Sequence, residues 1–227
     1  MNQPQEAGPA LAADELMPRL LLATNNLHKI GEYRQLLADC GWELVTFADL
    51  GLTLDEEEVG DTYEDNARMK AVKAALASGL HALADDSGLG VKALGGEPGP
   101  RSARFGGEGT SHREKMGLLL ERLEGKAPRE RECRFVCVIA VADPQGGVRL
   151  CQGYCSGLVA EAPHGEGGFG YDPIFYMPEL GKTMAELSDE EKNAISHRAR
   201  AAQQARQILK ELLYEQRPGV HPPHPTG

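Results

Sequence analysis

The sequence predicts an α/β fold on a mixed central sheet, and two observations carry the prediction. An apolar strand, an amphipathic helix and a second strand follow one another between residues 19 and 47. In the middle of the chain, residues 134–143 and 148–156 form two long strand-like runs joined by Pro144-Gln-Gly-Gly147, which reads as a hairpin, and helices are interspersed among the remaining strands. At 227 residues the chain can bury one sizeable core, or two small lobes sharing one.

Each element has a local reason. Residues 1–18 are rich in Pro and Ala and lack the basic and apolar regions of a secretory signal, so they read as a flexible leader. Arg19 to Thr24 is a short buried strand, Leu27 to Asp39 a helix with Ile30, Leu36 and Leu37 inward, and Trp42 to Phe47 a strand by alternation. Thr62, with Asp65 three residues on, opens a helix that Gly79 ends. On that helix Asn66, Lys70 and Lys73 share a face expected to be wet and partly cationic, while Ala67, Ala71, Ala74 and Ala75 form a small-residue face for packing. Residues 80–85 read as a strand, Asp86-Ser87-Gly88 as a turn, and Leu89 to Leu94 as a strand pairing back. Gly95 to Gly109 is a long Gly-rich loop carrying Arg101 and Arg104. Ser111 and Glu114 make a capping box for a helix to Leu123, and Ser188 with Glu191 makes another for a short helix that holds Lys192 and breaks before Ser196. The last helix runs to Tyr214 with Ala201, Ala205, Ile208, Leu209 and Leu212 on one stripe. One domain over 19–215 is expected, followed by a flexible polar, Pro-rich tail at 216–227.

Bulk properties exclude several functions. A formal net charge of −10 argues against a nucleic-acid partner, which selects a basic face. No apolar run approaches the ~20 residues of a membrane span. Five cysteines, an odd number without a signal peptide, point to reduced thiols and a cytoplasmic location. Cys133/Cys137 and Cys151/Cys155 have a zinc-like spacing but lie on strands, where a four-residue step spans roughly 13 Å. One tetrahedral zinc with ~2.3 Å bonds cannot take both members of such a pair, so these thiols read as small buried hydrophobes.

Four motifs carry chemistry. Asp85-Asp86-Ser87 closes an apolar run as a metal-assisted phosphate site would, with Asp55, Glu56, Glu57 and Glu58 as further carboxylates. Adjacent strand residues point to opposite faces, so at most one of the two aspartates faces a cleft; a solvated strand end is the alternative. Thr24-Asn25-Asn26-Leu27-His28-Lys29 opens a helix whose free N–H groups and lysine attract phosphate, or is an ordinary Asn cap; it is not a Walker A loop. Gly165 to Pro173 matches a dinucleotide fingerprint by spacing, yet Pro173 stands where that helix should run. Phe169, Tyr171 and Asp172 there suit a base clamp or an aromatic-stapled loop. Finally, His197 and Arg198 open a helix against its dipole, which is favourable only beside an anion or an electron-rich ring.

Together LLLATNNLHKIGE, EEVGDTYEDNARMKA, ADDSGLGVKALGGEPGPRSARFGG, GGFGYDPIF and AELSDEEKNAISHRARA resemble the inosine/xanthosine triphosphate pyrophosphatase family, in family order from Arg19 to Leu213. The resemblance implies an elongated mixed sheet flanked by helices, in two lobes with the active-site cleft between them. It implies a homodimer that uses Mg²⁺ to hydrolyse ITP, dITP and XTP to the monophosphate and pyrophosphate. By position, Thr24, Asn25, Asn26, Leu27, His28 and Lys29 would bind the triphosphate. Asp86 would be general base and metal ligand, Ser87 would touch the substrate, and Glu57, with Glu58 its competitor, would be the second metal carboxylate. Phe169, Gly170, Tyr171 and Asp172 would line the nucleoside pocket, completed by Lys192, His197 and Arg198. Asn25 and Ala199 depart from the family, where glycine is common. The alternatives are a pyrophosphatase for modified pyrimidine nucleotides and a non-catalytic nucleotide sensor. The acidic and basic set argues against lost turnover, and the His197-Arg198 pair against pyrimidines. Which of Asp85 and Asp86 takes the proton stays open.

Overall fold

The computed structural model describes residues 17–54, 60–107 and 109–215. Seven strands form one sheet in the order β2-β1-β3-β4-β5-β6-β7. These are β1 (Arg19–Leu22), β2 (Glu43–Thr46), β3 (His81–Val91), β4 (Glu132–Ala142), β5 (Val148–Val159), β6 (Phe175–Met177) and β7 (Lys182–Thr183). β2, β1 and β3 are parallel and all later pairings antiparallel, so the mixed sheet expected from the sequence is present. The helices are α1 (Leu27–Leu36), α2 (Tyr63–Ser78), α3 (His112–Arg122), α4 (Asp189–Ile195) and α5 (His197–Glu215). Among the described residues no helix is long and apolar enough to cross a membrane.

Side-chain oxygens set the helix starts. Asn26 caps α1, Thr62 caps α2, and full capping boxes at Ser111 and Ser188 open α3 and α4. Each such cap contributes about 1 kcal/mol. α1 ends at Leu36, three residues before the expected Asp39.

The largest departure from expectation is β3. Residues 85–88 do not turn; the strand runs unbroken, with Asp85 opposite Ile139, Asp86 opposite Val138, Ser87 opposite Cys137 and Gly88 opposite Val136. Gly88 is required for close approach and not for a turn, because a Cβ there would collide with the Gly99 carbonyl and the Ser102 side chain. The strand expected to reach Leu94 stops at Val91, where a 3₁₀ turn over Lys92–Leu94 takes over, and a second one, Gly99–Arg104, orders part of the expected loop. Ser102 ties that second turn down, accepting from Leu89 N at 2.9 Å and donating to Gly99 O at 2.6 Å.

Alternation along β3 divides the core. On its odd-numbered face Leu83 belongs to one apolar cluster, with Leu20, Leu22, Tyr33, Ile139 and Leu209. Leu89 and Val91 belong to a second, with Phe135, Leu119 and Phe175. Asp85 and Ser87 fill the interval between them. The even-numbered face packs Ala82 and Ala84 against Ala67, Ala71, Ala74 and Ala75 of α2. Against expectation, α2 does not present Asn66 and Lys70 to water: both are buried, and Lys73 alone of the three is exposed. α5 lies across β5 at Gly153, where a Cβ would meet the His197 carbonyl and Ala201 N. Cys133, Cys137, Cys151 and Cys155 are buried free thiols, as the strand spacing predicts.

Candidate active site

The site forms where β3 outruns β1. Leu22 pairs with Leu83, and Ala23 N donates to Leu83 O at 2.8 Å; beyond that point the chain after β1 turns away as Thr24–Lys29 and opens α1. Asp85, Asp86 and Ser87 therefore lie just outside the carboxyl ends of the parallel strands, the crevice in which open α/β sheets bind ligands. Asn26 Oδ1 accepts from the N–H groups of His28 at 3.0 Å and Lys29 at 3.3 Å. That cap takes two donors a phosphate could have met, so the cationic contribution of this turn rests on the Lys29 ammonium.

The two aspartates have different surroundings. Asp85 is buried against Lys29 Nζ (3.0 Å) and an Arg198 guanidinium nitrogen (3.1 Å), and it accepts from the Ser87 hydroxyl at 3.2 Å. Burial alone would raise its carboxyl, but Lys29, Arg198 and Lys70 hold it well below the usual carboxylate range. Asp86 points to the α2 side, where Asn66 Nδ2 donates to its Oδ2 at 3.1 Å and Lys70 Nζ to its Oδ1 at 3.2 Å. Asn66 Oδ1 in turn accepts from Gly60 N at 2.8 Å. Glu57 and Glu58 lie outside the described residues.

A buried chain of alternating charges extends from Asp85. Arg198 pairs with Glu32 at 2.6 Å, Glu32 with Lys192 at 2.7 Å, and Lys192 with Asp172 at 2.7 Å. Counting Lys29 and Asp85, three cations alternate with three carboxylates, which is what permits their burial. Burial works against the Glu32 carboxylate, yet Arg198 and Lys192 hold it below its ordinary value. Burial pushes the Asp172 carboxyl up against the pull of Lys192. The same carboxylates keep Lys192 and Arg198 charged despite their burial.

Above this network is an aromatic floor. Lys192 Nζ lies 5.0 Å and the Arg198 guanidinium 5.4 Å from the Phe169 ring centroid, and His28 stacks on Phe169 at 5.2 Å and 14°. His197 stacks on Phe135 at 4.6 Å and 15°; burial, then Arg198 and Lys192, lower its pKa well below the usual histidine value and keep it neutral. Tyr171 OH donates to Ser102 O at 3.2 Å, and Asp172 accepts from Phe169 N at 2.9 Å, which fixes the Gly-rich turn. Two buried polar atoms here, His197 Nδ1 and Arg198 Nε, have no partner among the described residues.

These side chains enclose a cleft of about 210 Å³. Of the residues nominated from sequence it gathers Thr24, Asn26, Lys29, Ser87, Phe169, Gly170, Tyr171, Asp172, Lys192, His197 and Arg198. Asn25, Leu27 and His28 are not in its wall, and Leu27 is 80% exposed. Neither aspartate lines it: Asp85 is covered by the groups it pairs with, and Asp86 faces α2. A model of the Ham1 family matches residues 20–208, a span that includes every described residue of the cleft.

The chain belongs to the Ham1 family. It is 49% identical over 193 residues to a dITP/XTP pyrophosphatase of Thermus thermophilus, covering 85% of this chain and 92% of that one. It is 41% identical to the dITP/XTP pyrophosphatase of Bacillus subtilis, covering 86% and 98%. Among solved structures, a HAM1 protein from Coxiella burnetii superposes with a TM-score of 0.78 at 41% identity, covering 86% of this chain and all of that one. The Ham1 protein of Staphylococcus aureus gives 0.76 at the same identity, covering 86% and 99%.

In this Ham1 chain the sequence reading missed Glu32, Phe135, Ser102 and His112, all in the cleft or its network. Glu32 had a usable signal, since it follows Lys29 by three residues and so shares its helix face. Ser102 and His112 had none, because only the unbroken β3 brings their loop and helix to the site.

Proposed function

We propose that this Ham1 cleft hydrolyses the bond between the α- and β-phosphates of non-standard purine nucleoside triphosphates, dITP and XTP foremost, releasing the monophosphate and pyrophosphate. The observation that carries the reading is the pair of unpartnered buried atoms, His197 Nδ1 of the ring stacked on Phe135 and Arg198 Nε of the guanidinium that lies beside Phe169 and pairs with Glu32 and Asp85. An unpaired buried donor or acceptor costs about 1–3 kcal/mol, which a bound base edge can recover. A 6-oxo purine offers Arg198 Nε–H an acceptor, whereas adenine offers an amino donor there and leaves it unpaired. Phe169 would stack on the base. The names of the T. thermophilus and B. subtilis relatives agree with this substrate class.

Asp86, which faces α2 and stands outside the cleft wall beside Ser87, is the general base in this reading. Asn66 and Lys70 hold one carboxylate oxygen each, so the group is oriented before a water's proton reaches it. Lys29 and Lys192 meet the charge of the phosphates. Mg²⁺ takes hard oxygen ligands and needs only one or two carboxylates when phosphates complete its shell, a donor set Asp86 fits and Glu57 would extend. Among the described residues no group of three metal-binding side chains gathers. When bound, the ion supplies neutralisation of the triphosphate charge. A homodimer is part of the same proposal.

Hydrolysis in ¹⁸O-labelled water tests it. The label is expected in the nucleoside monophosphate; label in inorganic phosphate, or a diphosphate product, overturns the reading. The kcat/KM values for dITP, XTP, GTP and ATP are expected to favour the first two, and equal use of ATP would refute the pocket assignment.

A further inference from the structure

Beyond Leu83, where the pairing with β1 ends, β3 keeps β4 along one edge, and among the described residues no strand of the sheet follows on the other. The 3₁₀ turn Gly99–Arg104 lies against that edge, and one buried hydroxyl joins the two. Ser102 Oγ accepts from Leu89 N at 2.9 Å and commits its proton to Gly99 O at 2.6 Å. The backbones meet so closely that only glycine fits at position 88. The turn then carries its neighbours on two successive carbonyls: Ser102 O accepts from the Tyr171 hydroxyl at 3.2 Å, and Ala103 O accepts from Lys115 Nζ of α3. Gly88, Ser102, Ala103 and Tyr171 all line the cleft. A continuous line of hydrogen bonds therefore runs from β3, three residues past Asp86, to the Gly-rich turn that holds Phe169 and Asp172.

We infer that Ser102 is a positioning residue for the nucleoside wall: its hydroxyl sets, through its own carbonyl and the Tyr171 phenol, where the turn around Phe169 stands relative to Asp86 and Ser87 on β3. The inference rests on the proposed reading of the cleft and deepens it. Removing the hydroxyl leaves Leu89 N–H and Gly99 C=O without their shared partner, so the 3₁₀ turn is free to shift and Tyr171 shifts with it. The Thr24–Lys29 turn has its own supports, the Asn26 cap and the Lys29–Asp85 pair, and stays in place. Ligands that use the nucleoside wall are thus weakened, and a ligand made of phosphate alone is not.

The test compares Ser102→Ala, Tyr171→Phe and the double variant with the wild type. Each single change is expected to raise KM for dITP and the Kd of dIMP, measured by calorimetry, by about two- to tenfold. kcat should move less than KM, and the inhibition constant of inorganic pyrophosphate should stay unchanged. The double variant is expected to bind dIMP no more weakly than the weaker single one, because both changes break the same line of contacts. Effects that multiply in the double variant overturn the inference. So does a Ser102→Ala variant that weakens pyrophosphate as much as dIMP, which would make the hydroxyl a general support of the fold. An unchanged dIMP Kd in Tyr171→Phe overturns it too, and that variant, which removes a single phenolic oxygen, carries the test if Ser102→Ala does not fold. A wild type that does not hydrolyse dITP at all would refute the underlying reading and is distinguishable from these results.

Discussion

Two carboxylates one residue apart on β3 differ in what surrounds them. Asp85 is closed in by Lys29, Arg198 and Ser87 and belongs to a six-charge network, whereas Asp86, on the other face, is held by an amide and an ammonium of a single helix. Asp85, between the buried Arg198 and the half-buried Lys29, is placed as a carboxylate that holds structure together would be; Asp86, gripped on each oxygen by a group of α2, is placed as the proposed base would be. Strand alternation makes this division of labour possible, since neighbouring residues are placed in separate environments without any change in the backbone.

The largest effect should come from Asp86→Asn, which preserves shape and removes the carboxylate proposed as the base: activity is expected to fall by roughly 10²–10⁴, with less stability lost than in the corresponding Asp85 variant. Near-normal turnover measured under saturating substrate would break the comparison. Next comes Asp85→Asn, which leaves the buried Arg198 and the half-buried Lys29 without their shared counter-charge and should cost about 3–5 kcal/mol in denaturant unfolding. A loss no greater than that of a surface variant would show that Asp85 is not structural. Because the Asp85 carboxyl is depressed in the folded protein, its contribution is present above the unfolded value of about 3.9 and disappears as pH falls below it.

A smaller effect separates the cleft floor from the strand. The His197 pKa is lowered on folding, so below about pH 6.5 the unfolded chain binds a proton that the folded chain refuses, and stability falls as pH falls. The expected slope approaches about 1.4 kcal/mol per pH unit for that one group. Thermal unfolding between pH 7.5 and 5 should follow it, and His197→Phe should flatten the profile in part, since His81 and His112 are shifted the same way by burial. An unaltered profile in that variant would place the acid sensitivity elsewhere.

Much of the fold and site is legible in the sequence, and the failures have physical causes. Capping residues at Thr62, Ser111 and Ser188 announce their helices because the cap is a local hydrogen bond. The opposed aspartates follow from alternation alone. β3 misleads because Asp-Asp-Ser-Gly has turn composition, while ten paired positions along β4 override that local preference. The face of α2 that carries Asn66 and Lys70 looks solvated because nothing local reveals that Asp86 lies against it. Glu32 escapes notice for a related reason: Arg198, its partner, is 166 residues away.

That separation has a consequence for how the protein is made. Trp42 Nε1 donates to Leu209 O, Arg206 to Leu36 O, and Arg198 to Glu32, so α5 fastens the last part of the chain to the first. Contacts of such long range form late, because a large loop must close before they can reward it. On the ribosome, a nascent chain that has not yet emerged past residue 196 has Lys29 and both strand aspartates but neither unpartnered atom of the base pocket. On the proposed reading, the atoms that would meet the base edge are therefore among the last of the site to be synthesised, and a chain terminated before residue 197 lacks both.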